Sequence, residues 1–136
     1  MQLKRMPKVT VKICERLGPD QRGVFALEDI RKNQFIEISP ALVFGAEEAE
    51  LIDQTALDRY VFEWGEDGKS SAIGMGNVSL YNHSAEPNAD YCQDFVEETF
   101  FVKAIEPIKK DEEITFNYNG SVCDKTPQWF EDTVTI

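Results

Sequence analysis

Apolar and polar residues alternate along this chain in short bursts, and turn-forming residues separate the bursts. Val9-Thr10-Val11-Lys12-Ile13 has the period of two expected of an edge or half-buried strand. Gly18-Pro19-Asp20 turns the chain back toward Gly23-Val24-Phe25-Ala26, a second short strand. Phe35-Ile36-Glu37-Ile38 and Leu42-Val43-Phe44 bracket Pro40, so the pattern predicts two separate strands there. Over 46–59 the alternation gives way to Glu47, Glu48, Ala49, Leu51, Ile52 and Leu57, which suit one or two helical turns with Thr55 as a cap. Tyr60-Val61-Phe62-Glu63-Trp64 resumes the strand pattern and runs into a polar hairpin loop at 65–71. The last strands are predicted at 89–94, 99–104 and 114–118, with Pro107, Lys109, Lys110 and Asp111 making the final turn. Many short strands punctuated by turns predict a mainly β domain.

Composition narrows the class without naming a function. A chain of 136 residues is enough for one domain with its own core, spanning 1–136, and no repeat or linker divides it. Hydrophobic content of 42% with 29% charged residues is that of an ordinary soluble protein, and no apolar run approaches a membrane span. The expectation is a soluble intracellular protein, cytoplasmic, or nuclear if the host is a eukaryote. Cys14, Cys92 and Cys123 stand far apart with no CxxC pair, which argues against a disulfide framework and against a structural zinc. The formal charge of −11 excludes a nucleic-acid binder of the usual cationic kind and suits approach by a basic partner. Glu47, Glu48, Glu50, Glu66 and Asp67 are the candidates for an acidic rim, or are simply a solvated face.

The densest chemistry lies in Leu80-Tyr81-Asn82-His83-Ser84-Ala85-Glu86-Pro87-Asn88-Ala89-Asp90-Tyr91. This stretch holds the only His of the chain, and the flexible run Gly74-Met75-Gly76-Asn77 precedes it. A turn rich in Asn, Ser and Pro is ordinarily just a loop; this one carries enough donors, acceptors and aromatics to build a buried polar site.

YNHSAEPN at 81–88, followed by DEEITFNY at 111–118, resembles the two signature blocks of the SET-domain protein-lysine methyltransferases. Arg22-Gly23-Val24-Phe25-Ala26, with Asp29-Ile30 and Phe35-Ile36-Glu37, resembles the same family's opening block. The blocks come in family order from about residue 8 to 130, and the absence of a cysteine cluster is similar to the compact, zinc-free bacterial and viral members. The resemblance implies a β-clip fold: small sheets around a C-terminal pseudoknot, with a short helical insert at 46–59. It implies a core of about 8–120 and a segment 121–136 that covers cofactor or substrate.

The activity so implied is methyl transfer from S-adenosylmethionine to the ε-amine of a lysine, without metal. On the resemblance, Tyr118 is the catalytic tyrosine and also faces the cofactor. Arg22, Gly23, Tyr81, Asn82 and His83 are the cofactor-binding candidates, with Asn82 acting through its side chain and His83 through its backbone. Family members usually carry Gly where this chain has Gln21, which leaves Arg22 and Gly23 to supply the backbone contact. Tyr60, Tyr91 and Phe116 are assigned to the substrate channel; Phe116, on the Tyr118 side of a strand, leaves room for more than one methyl group. Ser84 and Asn88 pin the pseudoknot loop. Trp129 and Phe130 need something to cover, and the adenine of the cofactor is the candidate for Trp129. The implied partner is a basic protein substrate, a histone-like tail or a ribosomal lysine. The alternatives are a SET-like module that binds a basic peptide without turnover, and a homodimer built on the Trp129 segment.

Overall fold

The computed structural model describes residues 5–118. In chain order the strands are β1 (Val9–Ile13), β2 (Arg22–Ala26), β3 (Phe35–Phe44), β4 (Phe62–Trp64), β5 (Ser70–Gly74), β6 (Asn82–His83), β7 (Ala89–Asp94), β8 (Thr99–Ala104) and β9 (Glu113–Phe116). The insert between β3 and β4 is the helix α1 (Ala46–Ile52) and a 3₁₀ turn, Ala56–Arg59. Thr55 caps that turn, its hydroxyl accepting from the Leu57 N–H at 3.2 Å while donating to the Ile52 carbonyl at 2.7 Å.

Two sheets result, one ordered β1-β2-β9-β6 and the other β4-β5-β3-β8-β7. Every pairing is antiparallel except β6 with β9, where Asn82 faces Thr115 and His83 faces Phe116 in parallel register. β9 therefore runs between β2 and β6, and the end of the described chain is drawn under the 82–91 stretch as in a pseudoknot. Asn88 locks it there. Its amide donates to the Glu113 carbonyl at 2.8 Å, and its Oδ1 accepts from the Thr115 N–H at 2.9 Å. The core fills the space between the sheets with Val24, Ile30, Phe100, Val102, Ile108, Ile114 and Phe116, none more than 2% exposed.

Three expectations need correction. Residues 35–44 form one strand, not two, because β3 changes neighbours at Pro40: up to Pro40 it pairs with β8, and from Ala41 on it pairs with β5. The proline sits at the change of ladder, where a missing donor is tolerated. The second strand begins at Arg22, one residue before the Gly23 that the pattern predicts, with Arg22 paired to Ile13 and Gly23 to Lys12. β9 ends at Phe116, so the strand period does not carry Tyr118 onto the face of Phe116. Phe116 is wholly buried, whereas Tyr118 is 52% exposed.

Candidate active site

Tyr118 leaves β9 at the point where two cavities meet. One, of about 290 Å³, is lined by the Leu17–Arg22 stretch together with Leu80 and Asn82. The other, of about 580 Å³, is lined by Asp58, Phe62, Glu63, Tyr91 and Gln93, with Val61 and Val78. Arg59, Tyr60, Ser79, Tyr81 and Tyr118 line both. The Tyr118 hydroxyl donates to the Tyr81 carbonyl at 2.6 Å, and its backbone N–H donates to His83 Nδ1 at 3.0 Å. The residue is thus tethered through its backbone and through its hydroxyl. Burial pushes its pKa above the ordinary value of 10.0, and the charge on Glu113 adds to the shift. It stays a neutral hydrogen-bond donor across the physiological range.

The wall of the smaller cavity is braced from behind by Glu113. One carboxylate oxygen accepts from Arg16 at 2.7 and 3.0 Å and from the Cys14 thiol at 3.5 Å. The other accepts from the Asn82 amide at 2.7 Å. Asn82 also donates to the Arg22 carbonyl at 3.0 Å, and its Oδ1 accepts from Gln21 Nε2 at 2.9 Å. Both amide hydrogens of this buried residue are therefore engaged within the protein. Burial and the Glu113 charge raise the Cys14 thiol, which keeps it protonated and inert.

Gly23 stands behind the wall and does not line the cavity. A Cβ there would come within 2.6 Å of Glu113 Oε2 and 2.7 Å of Asn82 Nδ2. Its missing side chain makes room for the Asn82–Glu113 hydrogen bond rather than for a ligand. Arg22 lines the cavity and is exposed. Tyr81 contributes backbone: its ring is 1% exposed and stacks on Phe116, centroids 4.4 Å apart at 23°. His83, expected to meet the cofactor through its backbone, lines neither cavity; it is exposed and packs its ring on Tyr118 at 5.2 Å.

Tyr60, which is exposed, and Tyr91, which is buried, both line the larger cavity. Phe116 supports Tyr91 from within, at 5.2 Å, without lining either cavity. Trp64 belongs to the core and Phe62 packs against it from the cavity side, their rings 5.1 and 4.8 Å from that of Phe100. Sequence reading passed over Asp58 and Glu63, the acids that line this cavity; the only signal was that Glu63 alternates with buried aromatics. Of the rim candidates, Glu50 lines an adjoining depression of about 710 Å³ with Asp53, Asp58 and Glu63, while Glu47, Glu48, Glu66 and Asp67 line none of these three cavities. Trp129, Phe130 and Cys123 lie outside the described residues. Among the described residues no three His, Cys, Asp or Glu side chains gather as a metal site, and no helix is long and apolar enough to cross a membrane.

Two cavities that share a tethered tyrosine in their walls, on a fold in which β9 pairs in parallel with the short strand of a preceding loop, define the class. The SET domain family model matches residues 21–119, and the chain belongs to that family. It is 37% identical over 123 residues to a Schizosaccharomyces pombe histone-lysine N-methyltransferase specific for H3 lysine-37, covering 90% of this chain and 76% of that protein. It is 34% identical over 132 residues to histone-lysine N-methyltransferase SUV39H1 of Xenopus laevis, covering 84% of this chain but 31% of that one. Among solved structures, the Neurospora SET-domain histone lysine methyltransferase DIM-5 superposes with a TM-score of 0.63 at 21% identity, over 88% of this chain and 55% of that chain, a likeness of fold.

Proposed function

We propose that this chain is a protein-lysine N-methyltransferase that takes its methyl group from S-adenosylmethionine and acts on a basic protein tail of the histone kind. The observation that carries the reading is the position of Tyr118: it borders both cavities, so a donor in one and a lysine in the other would meet beside its hydroxyl. Family membership supports the donor, and the negative charge of the chain supports a basic acceptor.

The residues of the smaller cavity fit the cofactor. Backbone and side chains of Gln21, Arg22, Ser79 and Asn82 mix donors with acceptors, as an amino-acid moiety requires, and the volume sits at the low end for a small-molecule site. Arg22 would face its carboxylate, while the Tyr81 carbonyl and Asn82 Oδ1, each with a lone pair to spare, would accept from its donors. Trp129 would cover its adenine. When bound, the cofactor supplies an electrophilic methyl group on a cationic sulfur.

The chain's own part is to deliver a neutral, aligned amine. A lysine in water is protonated and cannot attack, so the channel must favour the uncharged form. Tyr60, Tyr91, Phe62 and Val61 give that passage aromatic and apolar walls, which disfavour an ammonium by desolvation. Asp58 and Glu63 stand at its acidic approach and draw the cation in before it is stripped of water. Orientation inside such a passage supplies much of the rate, about 7 kcal/mol or more in favourable cases. With the cofactor bound, the Tyr118 oxygen and the Tyr81 carbonyl beside it would offer acceptors for weak CH···O contacts to a methyl group of partial positive charge.

The test is transfer of isotope-labelled methyl groups to histone tails, with Tyr118→Phe as the decisive variant. Loss of turnover by about 10²-fold or more, with cofactor affinity retained by calorimetry, is expected for a group acting on the reacting atoms. Undiminished turnover in Tyr118→Phe, or peptide binding with no methyl transfer by the parent chain, would overturn the reading.

A further inference from the structure

We infer that Glu37, which touches neither cavity, is a positioning residue for Tyr118; the inference rests on the catalytic reading of that tyrosine. The irregular register between Phe35 and Glu37 lets Phe35 and Ile36 both be buried and re-aims the rest of the strand, so that Glu37 and Ser39 face the 74–82 segment together. The Glu37 carboxylate then gathers four donors. Oε2 accepts from the N–H of Asn77 at 2.6 Å, from the N–H of Val78 at 3.1 Å, and from the hydroxyl of Ser39. Oε1 accepts from the Tyr81 hydroxyl at 2.8 Å. Those bonds hold both ends of the 3₁₀ turn Val78–Leu80, one through the backbone that opens it and one through the side chain just beyond it.

The Tyr81 carbonyl is the acceptor for the Tyr118 hydroxyl. Fixing residues 77–81 therefore fixes the oxygen that aims the phenol, together with Ser79, which lines both cavities. The chain protects this arrangement. Gly76, in the run that the sequence offers only as flexible, has no side chain because a Cβ there would come within 2.5 Å of Glu37 Oε2. A charged acceptor serving two backbone N–H groups and two hydroxyls is stronger than a neutral one, so its removal loosens the whole turn rather than one bond. The order of action is Glu37, then Tyr81, then Tyr118.

A double-mutant cycle tests this, read by single-turnover methyl transfer with enzyme in excess so that slow variants remain measurable. Glu37→Gln keeps the shape but leaves an amide nitrogen facing a donor. It is expected to lower the rate of transfer by roughly 10-fold, with the KM for peptide and the Kd for cofactor within about twofold of the parent. In the Tyr118→Phe background the same change is expected to cost less than about twofold, because the phenol oxygen it aims is already gone. Tyr81→Phe, which deletes only the hydroxyl that Glu37 holds, repeats the cycle if Glu37→Gln does not fold. An equal loss in both backgrounds, or none in either, overturns the positioning role and leaves Tyr118 catalytic. Full turnover by Tyr118→Phe alone overturns the catalytic reading, and this inference with it.

Discussion

Asn88→Ala tests whether the pseudoknot is held by one side chain. Asn88 is 7% exposed and joins the loop after β6 to β9 by two hydrogen bonds, one given to the Glu113 carbonyl and one taken from the Thr115 N–H. Truncation strips both bonds at once and puts nothing in their place. Thr115 is also buried, so its N–H keeps the cost of desolvation without a partner. A buried backbone group left unpaired costs about 1–3 kcal/mol, and the carbonyl retains a second lone pair, so the expected loss is about 2–4 kcal/mol. For 136 residues the total stability is roughly 7–20 kcal/mol, so this is a large fraction. Tm should fall by about 7–14 °C. Urea unfolding followed by circular dichroism measures the loss, and hydrogen exchange at the Thr115 amide localises it. A loss under about 0.5 kcal/mol, or an unchanged exchange rate at Thr115, would refute the claim that Asn88 is the lock. Asn88→Asp makes the argument sharper. The carboxylate still accepts from Thr115 but now faces the Glu113 carbonyl, acceptor against acceptor, so its folded pKa lies above the ordinary value near 3.9. Its stability deficit should therefore shrink as pH falls and the acid regains a proton to donate, the opposite of a salt-bridged aspartate.

Gly23→Ala should destabilise by about 1–2 kcal/mol, since the new methyl group must part Asn82 from Glu113 at about 1–3 kcal/mol while the unfolded chain loses only about 0.4–1 kcal/mol worth of entropy. Calorimetry should show weaker cofactor binding in the same variant; a variant as stable and as tight as the parent would show that the Asn82 brace is dispensable. The tyrosines set an alkaline limit. Burial raises the folded pKa values of Tyr81, Tyr91 and Tyr118, so the stability they contribute is complete below the unfolded value near 10 and is lost as pH climbs past it. Methyl transfer should accordingly rise from pH 7 to 9 as more lysine is neutral, without a falling limb from Tyr118 ionisation below about pH 10. A rate that fell between pH 8 and 9 in a still-folded protein would contradict this.

Local pattern carried the reading of individual strands, because alternation and turn chemistry act between residues close in sequence. β1, β7 and β8 fall where the apolar residues alternate or cluster, and the Thr55 cap is visible as a Thr two positions before Leu57. Where the sequence pattern misled, a distant partner was responsible. Pro40 looked like a break, yet β5 takes over the ladder from β8 at that point. Phe116 and Tyr118 looked like neighbours on one face, yet one is sealed beneath Tyr81 and Tyr91 while the other swings out past the end of the strand.

The sequence alone determined the class of fold, through the strand periods, and the family, through the blocks at 81–88 and 111–118. Only the tertiary structure decided which side chains meet. Gln21, Asn82 and Glu113 converge, Glu37 reaches Tyr81, and Asp58 and Glu63 come to line one cavity with Tyr118. The reason is physical: a parallel two-residue pairing of β6 with β9 has no periodicity of its own to announce it. It exists because Asn88, the core beneath Tyr81 and the strand between them satisfy one another across the fold, and that agreement cannot be read from any one stretch of chain.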